Sequence, residues 1–152
     1  GIPALRDWSR EWEMLNSGKD IRFIIPGGAP SLDIYENLIL LPHNSEFFHP
    51  DLINACDAVI GKVGYSTLAE VFHAGIPFGY ILRSFFRESG VLGDFIEREM
   101  SGIPIEETAF QSGVWRSCLE SLFSLPRIQR QGPNGSEQAA DFIYNFCLQD
   151  KK

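Results

Sequence analysis

The stretch from Ala58 to Phe78 constrains the fold of this chain more than any other. A short apolar run, Ala58 to Ile60, is followed by Gly61 and Gly64, and a helical pattern begins near Ser66. This order predicts a strand, a tight turn and a helix N-terminus. The first backbone N–H groups of a helix lack intrahelical partners, so such a turn can bind an anion.

The side chains around this turn suit a nucleotide. Lys62 supplies a cation, Ser66 and Thr67 supply hydroxyl groups, and Glu70 can accept hydrogen bonds from hydroxyls beside the anion. A phosphate next to a diol describes a nucleotide with its ribose. Neither common phosphate motif is present, because the segment completes neither a Walker A loop nor a GxGxxG fingerprint.

The same residues have structural alternatives. Thr67 and Glu70 fit a capping box, in which the glutamate folds back to the helix start. Ser66 fits a plain N-cap, and Lys62 fits a solvated lysine at a strand end.

Short apolar segments alternate with helical patterns along the chain, which is typical of a parallel sheet covered on both faces. We therefore predict an α/β fold with a doubly wound parallel sheet. The predicted strands are Ile21–Ile25, Leu38–Leu41, Ala58–Ile60, Phe78–Leu82 and Pro104–Glu106. The predicted helices are Ala4–Leu15, Pro50–Ala55, Ser66–Ala74, Val91–Met100, Gly113–Phe123 and Ser136–Leu148.

Ligands of doubly wound sheets bind beyond the carboxyl ends of the strands. The loops in that position are 26–30, 42–45, 61–66 and 83–89. In the last of these, Arg83 and Arg87 can fork onto a phosphate, and Glu88 can accept from sugar hydroxyls. A surface ion-pair cluster is the alternative. The neighbouring Phe85 and Phe86 are expected to pack inward.

His43 and Asn44 follow a predicted strand at the same edge of the sheet. Their donor and acceptor groups can read the edge of a nucleobase. The alternative is a structural role, because Asn favours turns for backbone reasons. We assign no role to His49 or His73.

Composition excludes several classes of function. A net charge of −7 over 152 residues argues against nucleic-acid binding, and no apolar run reaches the roughly 20 residues of a membrane helix. No signal peptide is visible. The cysteines Cys56, Cys118 and Cys147 form no metal-type spacing, so we expect no metal site, no cofactor, and reduced thiols in a cytoplasmic protein.

The segment from Lys62 to Glu70, followed by Ala74 to Pro77, resembles the donor-binding signature of GT-B glycosyltransferases of the MurG-like type. A closer resemblance is to the glycosyltransferase-like segment of plant arabinokinases and its bacterial relatives. It is carried by Arg83 and by the segments 51–57, 61–67, 86–88 and 132–135.

This resemblance implies a Rossmann-like fold that binds a nucleotide sugar, with UDP as the expected nucleotide. The implied diphosphate-binding residues are Lys62, Gly64, Tyr65, Ser66, Thr67 and Arg83. Glu70 would hold the ribose, and His43 and Asn44 the base. Arg87 and Glu88 would lie at the donor sugar. Lys62 and Glu88-Ser89 depart from the usual family residues, which leaves the donor sugar undefined.

The resemblance also implies that residues 1–152 form a single donor-binding domain of a longer chain. Its N-terminal acceptor domain, which normally supplies the catalytic base, would be missing, so we expect no turnover by this part alone. A non-catalytic module that senses a nucleotide sugar or scaffolds a kinase is the alternative function. A nucleotide-sugar epimerase is a third.

Overall fold

A computed structural model of the protein describes residues 21–35 and 37–149. The predicted helix Ala4–Leu15 lies outside these residues. The chain divides into two compact units, one ending at Phe48 and one beginning at His49. The single domain expected for residues 1–152 stays a prediction.

The first unit contains a three-stranded sheet. Its strands are β1 (Phe23–Ala29), β2 (Asp33–Ile34) and β3 (Leu38–Pro42), arranged in the order β1-β3-β2. Strand β1 pairs parallel with β3, whereas the short β2 pairs antiparallel with it. The sequence did not predict β2.

Strand β1 extends through residues that were predicted to form a loop, 26–29. The prediction was wrong because Pro26 and the two glycines after it usually end a strand. Here β1 is an edge strand of its sheet, where a proline costs no interstrand hydrogen bond. The register shifts between Pro26 and Ala29, and Gly27 has a φ of 70°.

The second unit combines a parallel sheet with helices. Its elements in chain order are α1 (His49–Ala55), β4 (Val59–Lys62), α2 (Tyr65–Ala74), β5 (Phe78–Ile81), α3 (Ser89–Glu99), β6 (Gly102–Pro104), α4 (Glu107–Gln111), a 3₁₀ helix (Val114–Cys118), α5 (Leu119–Ser124) and α6 (Gly135–Gln149). The strands β4, β5 and β6 pair side by side and all run parallel. The α/β class is therefore confirmed, and this unit is consistent with a Rossmann-like fold. The doubly wound sheet is not established.

The central strand β5 organises the core of the second unit. All four of its residues are buried, as expected for a parallel strand that is covered on both faces. Phe78 and Tyr80 share a core cluster with Val71 of α2 and Ile96 of α3. Burying these side chains fixes α2 and α3 to the sheet, and so fixes the turns at its carboxyl edge.

Glycines set the ends of α2. Gly64 precedes the helix in an extended conformation, with φ −155° and ψ 154°. Gly75 ends it in the left-handed region, with φ 67°, and its N–H donates to the carbonyl of Val71. The prediction that Gly75 closes this helix is confirmed.

Two later helices differ from their predictions. The segment 113–123 is not one helix: Gly113, with a φ of 78°, precedes a 3₁₀ helix at Val114–Cys118, and α5 begins only at Leu119. The last helix is capped by Asn134 rather than started by Ser136. The side-chain oxygen of Asn134 accepts a hydrogen bond from the backbone N–H of Glu137 at 2.9 Å. The backbone N–H of Asn134 donates in turn to the Glu137 carboxylate at 2.7 Å. This reciprocal pair is a capping box.

Among the described residues, no helix has the length and apolarity to cross a bilayer.

Candidate functional site

The carboxyl ends of three parallel strands meet at one edge of the second unit. Lys62 at the end of β4 pairs with Ile81 at the end of β5, and Tyr80 pairs with Pro104 at the end of β6. The segments that follow these strands therefore begin side by side. Ligands of open parallel sheets bind at this edge.

The first turn of α2 leaves backbone donors free at this edge. No residue that the structure describes accepts a hydrogen bond from the N–H groups of Tyr65, Ser66 or Thr67, whereas the N–H of Leu68 donates to the carbonyl of Gly64. No side chain caps the helix. The partial positive charge of the helix start is therefore unopposed, which favours a bound anion.

The side chains of this turn are accessible. Tyr65 is 61% exposed, Ser66 is exposed, and Thr67 is half-buried. The helix begins at Tyr65, so Ser66 and Thr67 lie inside the first turn rather than at the N-cap. The plain N-cap alternative for Ser66 is therefore wrong.

Arg83 is brought to the same turn. A Cβ placed on Gly64 would lie 3.7 Å from Arg83 Nη2, so the guanidinium lies beside the start of α2. Its Cζ lies 3.8 Å from the centre of the Phe86 ring, which supports the guanidinium from one side. Its Nε is buried and finds no hydrogen-bond partner in the described part of the chain. A buried donor without a partner is costly, and a bound anion would satisfy it.

A local hydrogen-bond network holds the backbone of Arg83. The buried Ser89 hydroxyl donates to the Arg83 carbonyl at 2.8 Å and accepts from the Arg83 N–H at 3.2 Å. The N–H of Phe86 also donates to the Arg83 carbonyl, at 3.0 Å. The loop therefore closes on itself between Arg83 and Ser89, which places the guanidinium and the ring of Phe86 together.

Lys62 is engaged by a residue that the sequence reasoning missed. Its Nζ donates to the Glu107 carboxylate at 2.9 Å. Glu107 is the first residue of α4 and follows β6, so the ion pair joins the carboxyl ends of the two outer strands of the sheet. Both side chains are partly exposed, at 44% and 36%. Lys62 is therefore a cation of this edge, but one that is neutralised by its partner.

Glu70 does not form the capping box with Thr67. Its Oε2 lies 2.5 Å from Nδ1 of His49, at the first position of α1. A carboxylate only accepts hydrogen bonds, so His49 is the donor. This pair, separated by 21 residues, has no local sequence signature, so the sequence predicts no role for His49.

The rest of the loop after β5 is solvent-facing. Arg87 is exposed and Glu88 is half-buried at the start of α3. Phe85 is fully exposed, and Phe86 is 37% exposed beneath Arg83. The expectation that both phenylalanines pack inward was wrong: Phe85 lies in solvent, and Phe86 packs against the Arg83 guanidinium.

The predicted base-binding residues belong to the first unit. His43 and Asn44 are exposed in the turn after β3. The ring of His43 lies against Gly27, whose added Cβ would approach Nδ1 to 2.8 Å. Their role toward a base stays a prediction.

The histidines, cysteines and carboxylates of the described residues form no metal cluster, and the cysteines form no disulfide. The described residues hold no group of three or more His, Cys, Asp or Glu side chains placed to bind a metal ion. The three cysteines are unpaired. Burial, followed by the charge of Asp57, raises the pKa of Cys56, and burial raises the pKa of Cys118. Raised pKa values disfavour reactive thiolates.

The chain is similar to L-arabinokinase of Arabidopsis thaliana. The two sequences are 29% identical over 133 residues, which cover 84% of this chain. The match spans only 13% of that protein's length. A scan against models of protein families finds no match, and no solved structure matches. This similarity agrees with the predicted resemblance to plant arabinokinases. It does not confirm the resemblance to GT-B glycosyltransferases.

Proposed function

We propose that this protein binds a nucleotide sugar at the carboxyl edge of the β4-β5-β6 sheet, as the donor-binding part of a glycosyltransferase. One observation carries the proposal. The Arg83 guanidinium lies beside Gly64 with its Nε buried and unsatisfied, next to a helix start whose first N–H groups are free.

These groups suit a diphosphate in number and geometry. The three N–H groups at the start of α2 present a converging set of donors, and a guanidinium forms two parallel hydrogen bonds to phosphate oxygens. Lys62 stands at the same edge as a second cation. In a transfer reaction the nucleoside diphosphate departs with the electron pair of the glycosidic bond. Preorganised donors at this position would stabilise that developing charge.

Glu70 fits the ribose of the same ligand. It lies four residues after Ser66, so both stand on one face of α2 and are separated by about 6 Å along the helix. A diphosphate at the helix start therefore brings its ribose hydroxyls toward the Glu70 carboxylate. Its Oε2 is bonded to His49, whereas Oε1 has no partner among the described residues.

The other ligand groups follow from the resemblance. We propose UDP as the nucleotide, with Arg87 and Glu88 at the sugar. Arg87 is exposed and Glu88 is half-buried, so a ligand can reach the polar groups of both.

A second function is binding without transfer, in a module that senses a nucleotide sugar or scaffolds a kinase. The similarity to L-arabinokinase favours it, because the matched region is a small part of a protein that is named as a kinase. The two functions share the binding site and differ in turnover. Release of UDP from UDP-sugars by the protein at its full natural length would favour the transferase, and tight binding without release would favour the module.

Isothermal titration calorimetry with UDP, GDP, ADP, UDP-glucose and inorganic phosphate tests the binding site itself. We expect UDP and UDP-glucose to bind and phosphate alone to bind much more weakly. Arg83→Ala should weaken UDP binding by roughly 10- to 150-fold, the range for losing hydrogen bonds to a charged group.

The matched control is Arg98→Ala, which removes an exposed arginine of α3 whose one ion pair within the described ranges is with its neighbour Glu99. It should leave UDP affinity unchanged. Equal losses in the two variants would indicate a general effect of charge, and binding that is insensitive to Arg83 would contradict the proposed site.

A further inference from the structure

The His49–Glu70 hydrogen bond joins two helices at the proposed ribose position. His49 is the first residue of α1, and Glu70 lies in the middle of α2. At 2.5 Å, this is the shortest side-chain contact in the described part of the proposed site. Resting on the proposed function, we infer that His49 is a positioning residue that holds the Glu70 carboxylate in the orientation needed to bind the ribose hydroxyls.

Packing fixes the histidine before any ligand arrives. Ile53 lies one helical turn after His49 on the same face of α1, and it is buried in a cluster with Leu68 and Val71 of α2. The two helices are therefore packed together directly below the His49–Glu70 pair. The packed helices therefore hold the His49 imidazole in position beside Glu70.

Glu70 needs such a partner because its side chain is otherwise free to rotate. Its side chain is 25% exposed, and no other hydrogen bond or ion pair restrains it within the described ranges. A glutamate loses about 1.5–2 kcal/mol of rotamer entropy when it is fixed. Because His49 fixes Oε2, the Glu70 side chain has already lost this rotamer entropy before a ligand binds. Its Oε1 is therefore preoriented for the ligand.

The pair also explains which hydroxyl chemistry the site selects. Because Nδ1 of His49 donates to Oε2, the carboxylate stays an acceptor and recognises hydroxyl donors. A vicinal diol offers two such donors, whereas a nucleotide that lacks both hydroxyls offers none. The ribose, rather than the phosphates, should therefore depend on His49.

The test compares the affinities of UDP and 2′,3′-dideoxy-UDP by calorimetry. The wild-type protein should prefer UDP by roughly 10- to 150-fold, the range for hydrogen bonds to a charged acceptor. His49→Ala should reduce this preference to less than about 3-fold and leave the affinity for the dideoxy compound unchanged. His49→Asn places an amide N–H near the position of Nδ1 and should restore most of the preference.

The matched control is His73→Ala, which removes an exposed histidine of the same helix as Glu70. It should keep the wild-type preference. A wild-type preference in His49→Ala, or an equal loss of affinity for both nucleotides, would overturn the positioning role alone. If the wild-type protein binds neither nucleotide, the proposed function fails and the inference fails with it.

Discussion

Replacing Gly75 with alanine should strongly destabilise the second unit. Gly75 ends α2 at a φ of 67°, a region that costs a residue with a side chain about 1–2 kcal/mol. An added Cβ would also lie 1.9 Å from the carbonyl oxygen of Ile128. The backbone at Ile128 must therefore move by about 1 Å or more to reach van der Waals contact.

That movement breaks a second interaction. The N–H of Ile128 donates to the Gly75 carbonyl at 2.7 Å, a hydrogen bond worth about 0.5–1.5 kcal/mol. Together with the backbone strain, the expected loss is about 1.5–3.5 kcal/mol of unfolding free energy. This is a large share of the 5–15 kcal/mol typical of a domain, and it should lower Tm by about 3–14 °C.

Urea denaturation followed by circular dichroism measures this loss. Gly90→Ala is the matched control, because Gly90 lies in α3 and no atom is within 4 Å of an added Cβ. That variant should be unchanged or more stable by up to about 1 kcal/mol. A Gly75→Ala protein within about 0.5 kcal/mol of the wild type would refute the argument from the left-handed helix end.

Three further predictions concern charge and burial. Glu107→Gln should raise the affinity for UDP several-fold in calorimetry, because it frees Lys62 from its carboxylate partner. Arg130→Lys should lower the unfolding free energy by about 1–3 kcal/mol in urea, because it removes the guanidinium that donates to two helix-end carbonyls at 2.6 and 2.7 Å. Burial, followed by the Glu97 carboxylate, raises the pKa of Tyr80 above 10.0, so its contribution to stability is present below that pH and is lost as the pH rises further. Tyr80→Phe should therefore lose less stability than the wild type between pH 9 and about 11 in urea titrations.

Neighbouring residues provide the controls. Glu106→Gln removes an exposed carboxylate beside Glu107, whereas Lys62 pairs with Glu107, and it should leave UDP affinity unchanged. Arg98→Lys should leave stability unchanged. An effect of Glu106→Gln equal to that of Glu107→Gln would show that net charge alone, rather than the release of Lys62, governs affinity.

Local patterns in the sequence predicted the elements around the site well. The strand at β4, the helix α2 and its end at Gly75 follow from short-range rules on apolar runs and glycine conformation. The parallel sheet then places the segments after β4 and β5 at one edge, so the meeting of Gly64 and Arg83 was accessible from the sequence.

Contacts between distant segments were not accessible. Glu107 meets Lys62 across the end of β5, and His49 meets Glu70 across two helices, and neither pair has a spacing rule. The spacing of Thr67 and Glu70 fits a capping box, but His49, a residue distant in the sequence, binds the Glu70 carboxylate instead. At the last helix the capping box is real: Asn134 and Glu137 have the required spacing, and they begin the helix before Ser136.

The central claim is that the start of α2 and Arg83 bind the diphosphate of a nucleotide. The most direct measurement is a titration of the ¹⁵N-labelled protein with UDP, followed by ¹H–¹⁵N NMR of the backbone amides and of the arginine Nε groups. We predict the largest shifts at the amides of Gly64, Tyr65, Ser66 and Thr67 and at Arg83 Nε. Saturable binding with its largest shifts elsewhere, or an Arg83 Nε signal that does not respond, would contradict the account.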